Sequence, residues 1–226
     1  GWTYKTEGTV LVVSPSSGQE GAEVSIYGAS LRGQGTEVVS VTLAGAEANI
    51  THEDDLFVTV TVQSRSDAAT GDVVLTADTG ATITKEDGWE YVEPPTIDAV
   101  TPAAGQVGSI IVIDGTNLLA GADKISQVLL GGAAAGIVEE SNSQITVKVY
   151  PGKIVGLGDV HIITDTGAFV LLEDGFEYLN PGDIDTITPS SGQFKTEVSI
   201  TGSGLLGGGT EITSLTLAGI EVETLV

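Results

Sequence analysis

Two short motifs recur along this chain at one fixed distance, and that period limits the fold to a row of similar small units. Pro15-Ser16-Ser17-Gly18-Gln19 returns as Pro102-Ala103-Ala104-Gly105-Gln106 and again as Pro189-Ser190-Ser191-Gly192-Gln193, 87 residues apart each time. Gly1-Trp2-Thr3-Tyr4 returns in the same register as Gly88-Trp89-Glu90-Tyr91 and Gly175-Phe176-Glu177-Tyr178. Gly28, Gly115 and Gly202 keep the same spacing, as do Leu31, Leu118 and Leu205, and Gly45, Gly132 and Gly219. Gly71-Asp72-Val73, Asp78-Thr79-Gly80-Ala81 and Glu86-Asp87-Gly88 each return once, at Gly158, Asp165 and Glu173. A unit of this length is the size of a small domain, so the pattern describes a domain array.

The register sets the expected boundaries. Residues 1–7 read as the last strand of a preceding unit, 8–94 and 95–181 as complete units, and 182–226 as the first half of a third. The chain contains no Met and opens on Gly1, as an excised or processed piece would. Half a sandwich would expose its core, so residues 182–226 are not expected to be stable alone. Val92-Glu93-Pro94-Pro95-Thr96 and Leu179-Asn180-Pro181-Gly182-Asp183 are the joints, short and proline-bearing, which limits bending.

Inside each unit the apolar residues alternate over short runs, the signature of strands. The first unit gives strands at Thr9–Ser14, Ala22–Tyr27, Glu37–Leu43, Leu56–Val62, Asp72–Ala77 and Ala81–Val92, with a turn over Pro15–Gln19. Val24 and Ile26 share an inner face, and Val39, Val41 and Leu43 are expected to share another. No stretch of ten residues carries a helical period. Six or seven short strands separated by turn residues predict an all-β fold of tandem immunoglobulin-like β-sandwiches, without the cysteine pair of antibody domains.

A family resemblance rests on Ile97-Asp98-Ala99-Val100-Thr101-Pro102-Ala103-Ala104-Gly105 followed by Ile111-Val112-Ile113-Asp114-Gly115-Thr116-Asn117-Leu118. The same pattern runs from Ile184 to Leu205 and, more loosely, from Val10 to Leu31. It resembles the IPT/TIG domain, an immunoglobulin-like fold of plexins, transcription factors and microbial surface proteins. The resemblance implies the fold and leaves the job open, because this fold hosts unrelated functions.

Charge narrows the functions. Eight Lys and Arg face 31 Asp and Glu, a formal net charge of −23, which repels phosphate backbones and anionic lipid. A nucleic-acid partner is therefore excluded, and no apolar run is long enough to cross a bilayer. With no cysteine, neither disulfides nor thiolate metal sites are available.

Catalytic chemistry finds no support. His52 and His161 are the only histidines, Glu139 and Val74 stand at their repeat-related positions, and neither accompanies a nucleophile motif. Both read as surface residues, and the chain is expected not to be an enzyme. Asp72, Asp78, Asp87, Asp159, Asp165 and Asp174 are candidate calcium ligands by recurrence, but aspartate beside glycine is equally what turns select, and turn capping is preferred. No cofactor is expected otherwise. Asn49-Ile50-Thr51 makes Asn49 a glycosylation candidate. Trp2, Trp89 and Phe176, each two residues from a tyrosine, suit either a sugar-stacking surface or an inward anchor of the last strand, and the anchor is preferred.

These observations together describe a structural segment of a long extracellular or cell-surface protein: a stalk, fibre or adhesin shaft, or a filament subunit. Its partners would be neighbouring repeats or copies of itself. The alternatives are a carbohydrate- or protein-binding adhesion module, with glycans as partners, or accessory domains of a polysaccharide-acting enzyme.

Overall fold

The computed structural model describes residues 1, 3–152 and 155–222. Every element is a strand, and among the described residues no helix is long and apolar enough to cross a membrane. The first sandwich comprises β1 (Thr9–Ser14), β2 (Ser17–Gly18), β3 (Glu23–Ala29), β4 (Val38–Leu43), β5 (Ala46–Glu53), β6 (Phe57–Thr61), β7 (Ala69–Ala77) and β8 (Thr82–Tyr91). One layer runs β1-β3-β6-β5 and the other β4-β7-β8-β2, with β5 pairing to both β6 and β4 and so turning the corner between them.

The second sandwich repeats this with β9 (Thr96–Thr101), β10 (Ala104–Gly105), β11 (Ile110–Thr116), β12 (Ile125–Leu130), β13 (Ala133–Glu140), β14 (Gln144–Lys148), β15 (Gly156–Thr164) and β16 (Phe169–Tyr178). Beyond it, β17 (Asp183–Thr188) pairs with β18 (Ser199–Ser203), and β19 (Thr216–Leu217) with β20 (Ile220–Glu221). Here the apolar residues stand in the open: Ile212 is 41% exposed, where its counterpart Ile125 is 4%.

Each complete sandwich closes over its own core. Val24, Ile26, Val41, Leu43, Val58, Val60, Val73 and Leu75 line the first, and Ile111, Ile113, Val128, Leu130, Ile145, Val147, Val160 and Ile162 the second. Burying each such side chain contributes about 1.5–3 kcal/mol before conformational entropy is subtracted.

Three details depart from the expected strands. The β5 and β13 strands follow two-residue turns, Ala44-Gly45 and Gly131-Gly132, both residues in the left-handed region as a tight type I′ hairpin requires. Ala46-Glu47-Ala48-Asn49 carries too little apolar alternation to announce a strand. Secondly, the Pro15–Gln19 turn holds β2, which lies parallel to the end of β8 through Ser17↔Glu90 and Gly18↔Tyr91. Thirdly, Val39 points outward at 52% exposure while Val38 is buried, because a bulge between Val38 and Ser40 shifts the register against β7.

Glu53 shows how the loops are tied to this frame. Its carboxylate accepts from Arg32 Nε at 3.0 Å, Arg32 Nη2 at 2.9 Å and the Val38 N–H at 3.0 Å. Glu140 repeats only the last bond, accepting from the Ile125 N–H at 3.2 Å. The Arg32 bond, then burial working against it and the Val38 N–H, leave the Glu53 carboxyl below its ordinary range. Stability from a depressed carboxyl is present above its unfolded pKa, about 4.3, and disappears as pH falls through the folded value. Glu53→Gln should therefore lower stability by about 1 kcal/mol at pH 7, and the gap to the parent should narrow as pH falls below the unfolded carboxyl value. Paired urea titrations at pH 7 and at successively lower pH would show it.

Candidate functional site: the joint between consecutive sandwiches

Three of the six recurring aspartates, Asp72, Asp78 and Asp159, accept hydrogen bonds from backbone N–H groups. Asp72 Oδ1 accepts from the Asp87 N–H at 3.0 Å, and Asp159 Oδ1 repeats this with the Asp174 N–H at 3.0 Å. Asp87 and Asp174 have positive φ, at 45° and 50°, inside bulges that set three residues of β8 or β16 opposite one of β7 or β15. The carboxylate satisfies an amide that the bulge removes from the ladder. Asp78 belongs to another turn, where it accepts from the Thr36 hydroxyl at 2.5 Å and the Thr36 N–H at 3.1 Å; that hydroxyl is the main reason its carboxyl sits below the usual range. Asp165 donates its backbone N–H to the Lys124 carbonyl at 3.0 Å, as Asp78 does to Glu37 at 3.1 Å. Among the described residues, no three acidic or histidine side chains come together as a metal-holding group.

The aromatic residues divide between core and surface. Trp89, Tyr91, Phe176 and Tyr178 are buried, each pair edge-to-face with ring centres 5.8 and 5.1 Å apart. They anchor the last strand, and no sugar reaches them. Trp2 lies outside the described residues, and Tyr4 is 90% exposed. A surface ladder went unread in the sequence. Phe57 stacks on His52 at 4.5 Å and 17° and on Tyr27 at 6.1 Å and 28°. These rings stack across neighbouring strands and so stiffen the β3-β6-β5 layer. In the second sandwich Gln144 donates to Asp114 at 2.8 Å in the same place.

His52 is surface-exposed as expected, 3.7 Å from Asp54. His161 departs in part from the surface reading: the residue is half-buried, its Nε2 is buried without a hydrogen-bond partner and its ring meets Phe169 edge-on at 5.4 Å. Asn49 lies exposed on β5.

What the repeat places together is the joint. Ala120 and Ala168 of the second sandwich, 1% and 0% exposed, belong to the buried core of the first. Ala168 lies in the hairpin between β15 and β16. The Thr166 carbonyl of that hairpin accepts from the Glu23 N–H of β3 at 2.7 Å, a backbone bond between sandwiches. Opposite it stands Gly21, where a Cβ would meet Phe169 Cδ1 at 2.6 Å. Ala120 sits beside Gly121 in the loop after β11, both in the left-handed region, and a Cβ on Gly121 would lie 3.4 Å from Gly18 Cα and 3.3 Å from Val92.

The glutamine of the Pro-x-x-Gly-Gln motif pins the linker. Gln19, 3% exposed, donates from Nε2 to the Val92 carbonyl at 2.6 Å and the Arg65 carbonyl at 3.2 Å. In the next joint Gln106 Oε1 accepts from the Gly182 N–H at 2.8 Å. There Gly207 and Gly208 replace Ala120 and Gly121, with the same left-handed pair. A Cβ on Gly207 would meet Gln106 Nε2 at 2.6 Å, and one on Gly208 would meet Leu179 Cδ1 at 2.6 Å. In both joints, then, a tail face of motif and linker seats on a head loop.

This architecture is that of tandem immunoglobulin-like sandwiches packed end on end. Residues 95–178 match the IPT/TIG domain family, so the second sandwich is an IPT/TIG domain, and the 87-residue register relates the first to it position by position. Among solved structures the chain is similar to the plexin A4 extracellular region, domains 1 to 10: TM-score 0.51, 18% identity, covering 81% of this chain and 16% of that one. A surface glycan-binding protein from Prevotella bryantii aligns at TM-score 0.33 and 15% identity, over 74% of this chain and 41% of its own. No curated protein matches the chain.

Proposed function

We propose that this chain is a non-catalytic shaft segment of an extracellular or cell-surface protein, built to hold its ends apart. The joint is the observation that supports the reading: Ala120 and Ala168 enter the core of the preceding sandwich, so two domains share one apolar body across a short linker. Flexible beads on a string would keep separate cores, whereas a shared core resists bending. Net charge of −23 keeps neighbouring shafts apart at low ionic strength.

Each unit should advance the shaft by roughly 35–45 Å, the length of a sandwich strand plus its loops. Small-angle scattering of the whole chain should therefore report one elongated particle about 90–110 Å long, with a single conformation fitting the profile. Scattering that demands a broad ensemble of swinging domains would sink the shaft. The partners in this reading are further units of the same kind.

A further inference from the structure

Each joint seats a tail face on a head loop, and the first sandwich carries the same head loop. We infer that the head of the first sandwich, Gly33-Gln34 with Ala81–Ile83, is a docking surface for a further unit of the same repeat presenting its Pro-x-x-Gly-Gln turn. The inference rests on the shaft reading and adds a specific interface to it.

Three observations carry it. Gly33 and Gln34 have φ of 54° and 65°, the same left-handed pair that Ala120-Gly121 and Gly207-Gly208 present to the preceding tail. Ala81 stands where Ala168 stands in the 87-residue register; Ala168 is wholly covered by the preceding sandwich, whereas Ala81 is only partly buried. Between this head and the segment Lys5–Gly8 lies a hollow of about 150 Å³, bounded by Gly33, Gln34 and Ala81–Ile83. Lys5–Gly8, the register counterparts of the linker residues Val92–Pro95, form the other wall of this hollow.

Side-chain chemistry agrees with this placement. Val92 faces Gly121 and Leu179 faces Gly208, an apolar residue on a glycine in both joints. At the first head Lys5 and Gln34 occupy those two positions together and line the same hollow. Both members of the pair change at once, from apolar to polar, which preserves a matched contact. A Cβ on Gly121 would have ordinary or slightly tight contacts, so Gln34 can be seated with its amide directed away from the incoming turn.

The interface predicts one particular hydrogen bond. Glu23 donates to Thr166 in the observed joint, and the corresponding pair at the new one is Ile110 of the docked unit and Thr79 of the first sandwich. Placing a second copy of residues 92–178 directly before Lys5 of the full chain preserves the register and keeps Lys5 beside Gln34. In that protein the Ile110 amide of the added copy should exchange with solvent at least about tenfold more slowly than in the original copy, matching the slow Glu23 amide. Ala81→Glu should abolish the slowing while the thermal transitions of the sandwiches stay in place. Fast exchange at the added Ile110 with Glu23 still protected would overturn this inference alone. Fast exchange at both amides would overturn the shaft reading as well.

Discussion

Trp89→Ala should destabilise the first sandwich by about 3–5 kcal/mol, while Trp89→Phe should cost less than about 1.5 kcal/mol. The indole is wholly buried, edge-on to Tyr91, beneath the Gly18 end of β2: a Cβ on Gly18 would meet its Cη2 at 3.2 Å. Truncation to alanine opens a cavity that β-strands paired on both sides cannot collapse into. A domain of this size has only about 5–15 kcal/mol in hand, so the loss is a large part of the total. Phenylalanine is a different case, because the chain itself carries it: Phe176 takes the same place in the second sandwich, wholly buried against Tyr178. The indole N–H also lacks a hydrogen-bond partner, so removing it recovers a desolvation penalty of about 1–3 kcal/mol that offsets lost contact area. Urea unfolding followed by circular dichroism, with the second sandwich as internal reference, separates the two variants. A Trp89→Phe cost as large as the alanine cost would mean that the indole N–H finds a partner in solution.

That argument was partly open to sequence, and the rest of the molecule shows where such reading stops. The period of 87 defined the units, and alternation placed most strands, because both report on a buried face. The Val38-Val39 bulge escaped because alternation assumes an unbroken ladder, and a single inserted residue reverses which side faces in. Strand β5 escaped because its neighbours supply the burial and its own residues are small or polar. The aspartates were recognised by recurrence, and turn chemistry was the preferred explanation; the structure gives Asp72 and Asp159 an amide to accept from inside a strand bulge. The joint was the least legible part. Ala120 and Ala168 are unremarkable alanines in loops, and their burial depends on the surface of the preceding sandwich. Only Gln19 and Gln106 left a trace, as the last letter of a motif whose partners lie in the following linker.

Ala168→Glu puts that joint under direct test, with an expected opening of the interface and both sandwiches still folded. Ala168 is fully covered by the first sandwich, so a glutamate there would bring an unpaired charge into an apolar core. The cost of burying it, several kcal/mol, is avoidable in one way: the hairpin withdraws from the first sandwich and returns the carboxylate to water. Withdrawal gives up the Glu23–Thr166 hydrogen bond and the contacts of Ala120 and Phe169, which together are worth less than a folded domain. The joint should therefore yield before the sandwich does. Since the chain has no cysteine, spin labels can be placed on Thr84→Cys and Lys148→Cys, one exposed site on each sandwich, without background. The parent should give one narrow distance distribution and Ala168→Glu a broad one, while both variants keep their strand signal in circular dichroism. Gln19→Ala should broaden the distribution less, because it frees the linker but leaves the apolar contact intact. A narrow distribution in Ala168→Glu would show that the short proline-bearing linker, and not the shared core, holds the sandwiches in line.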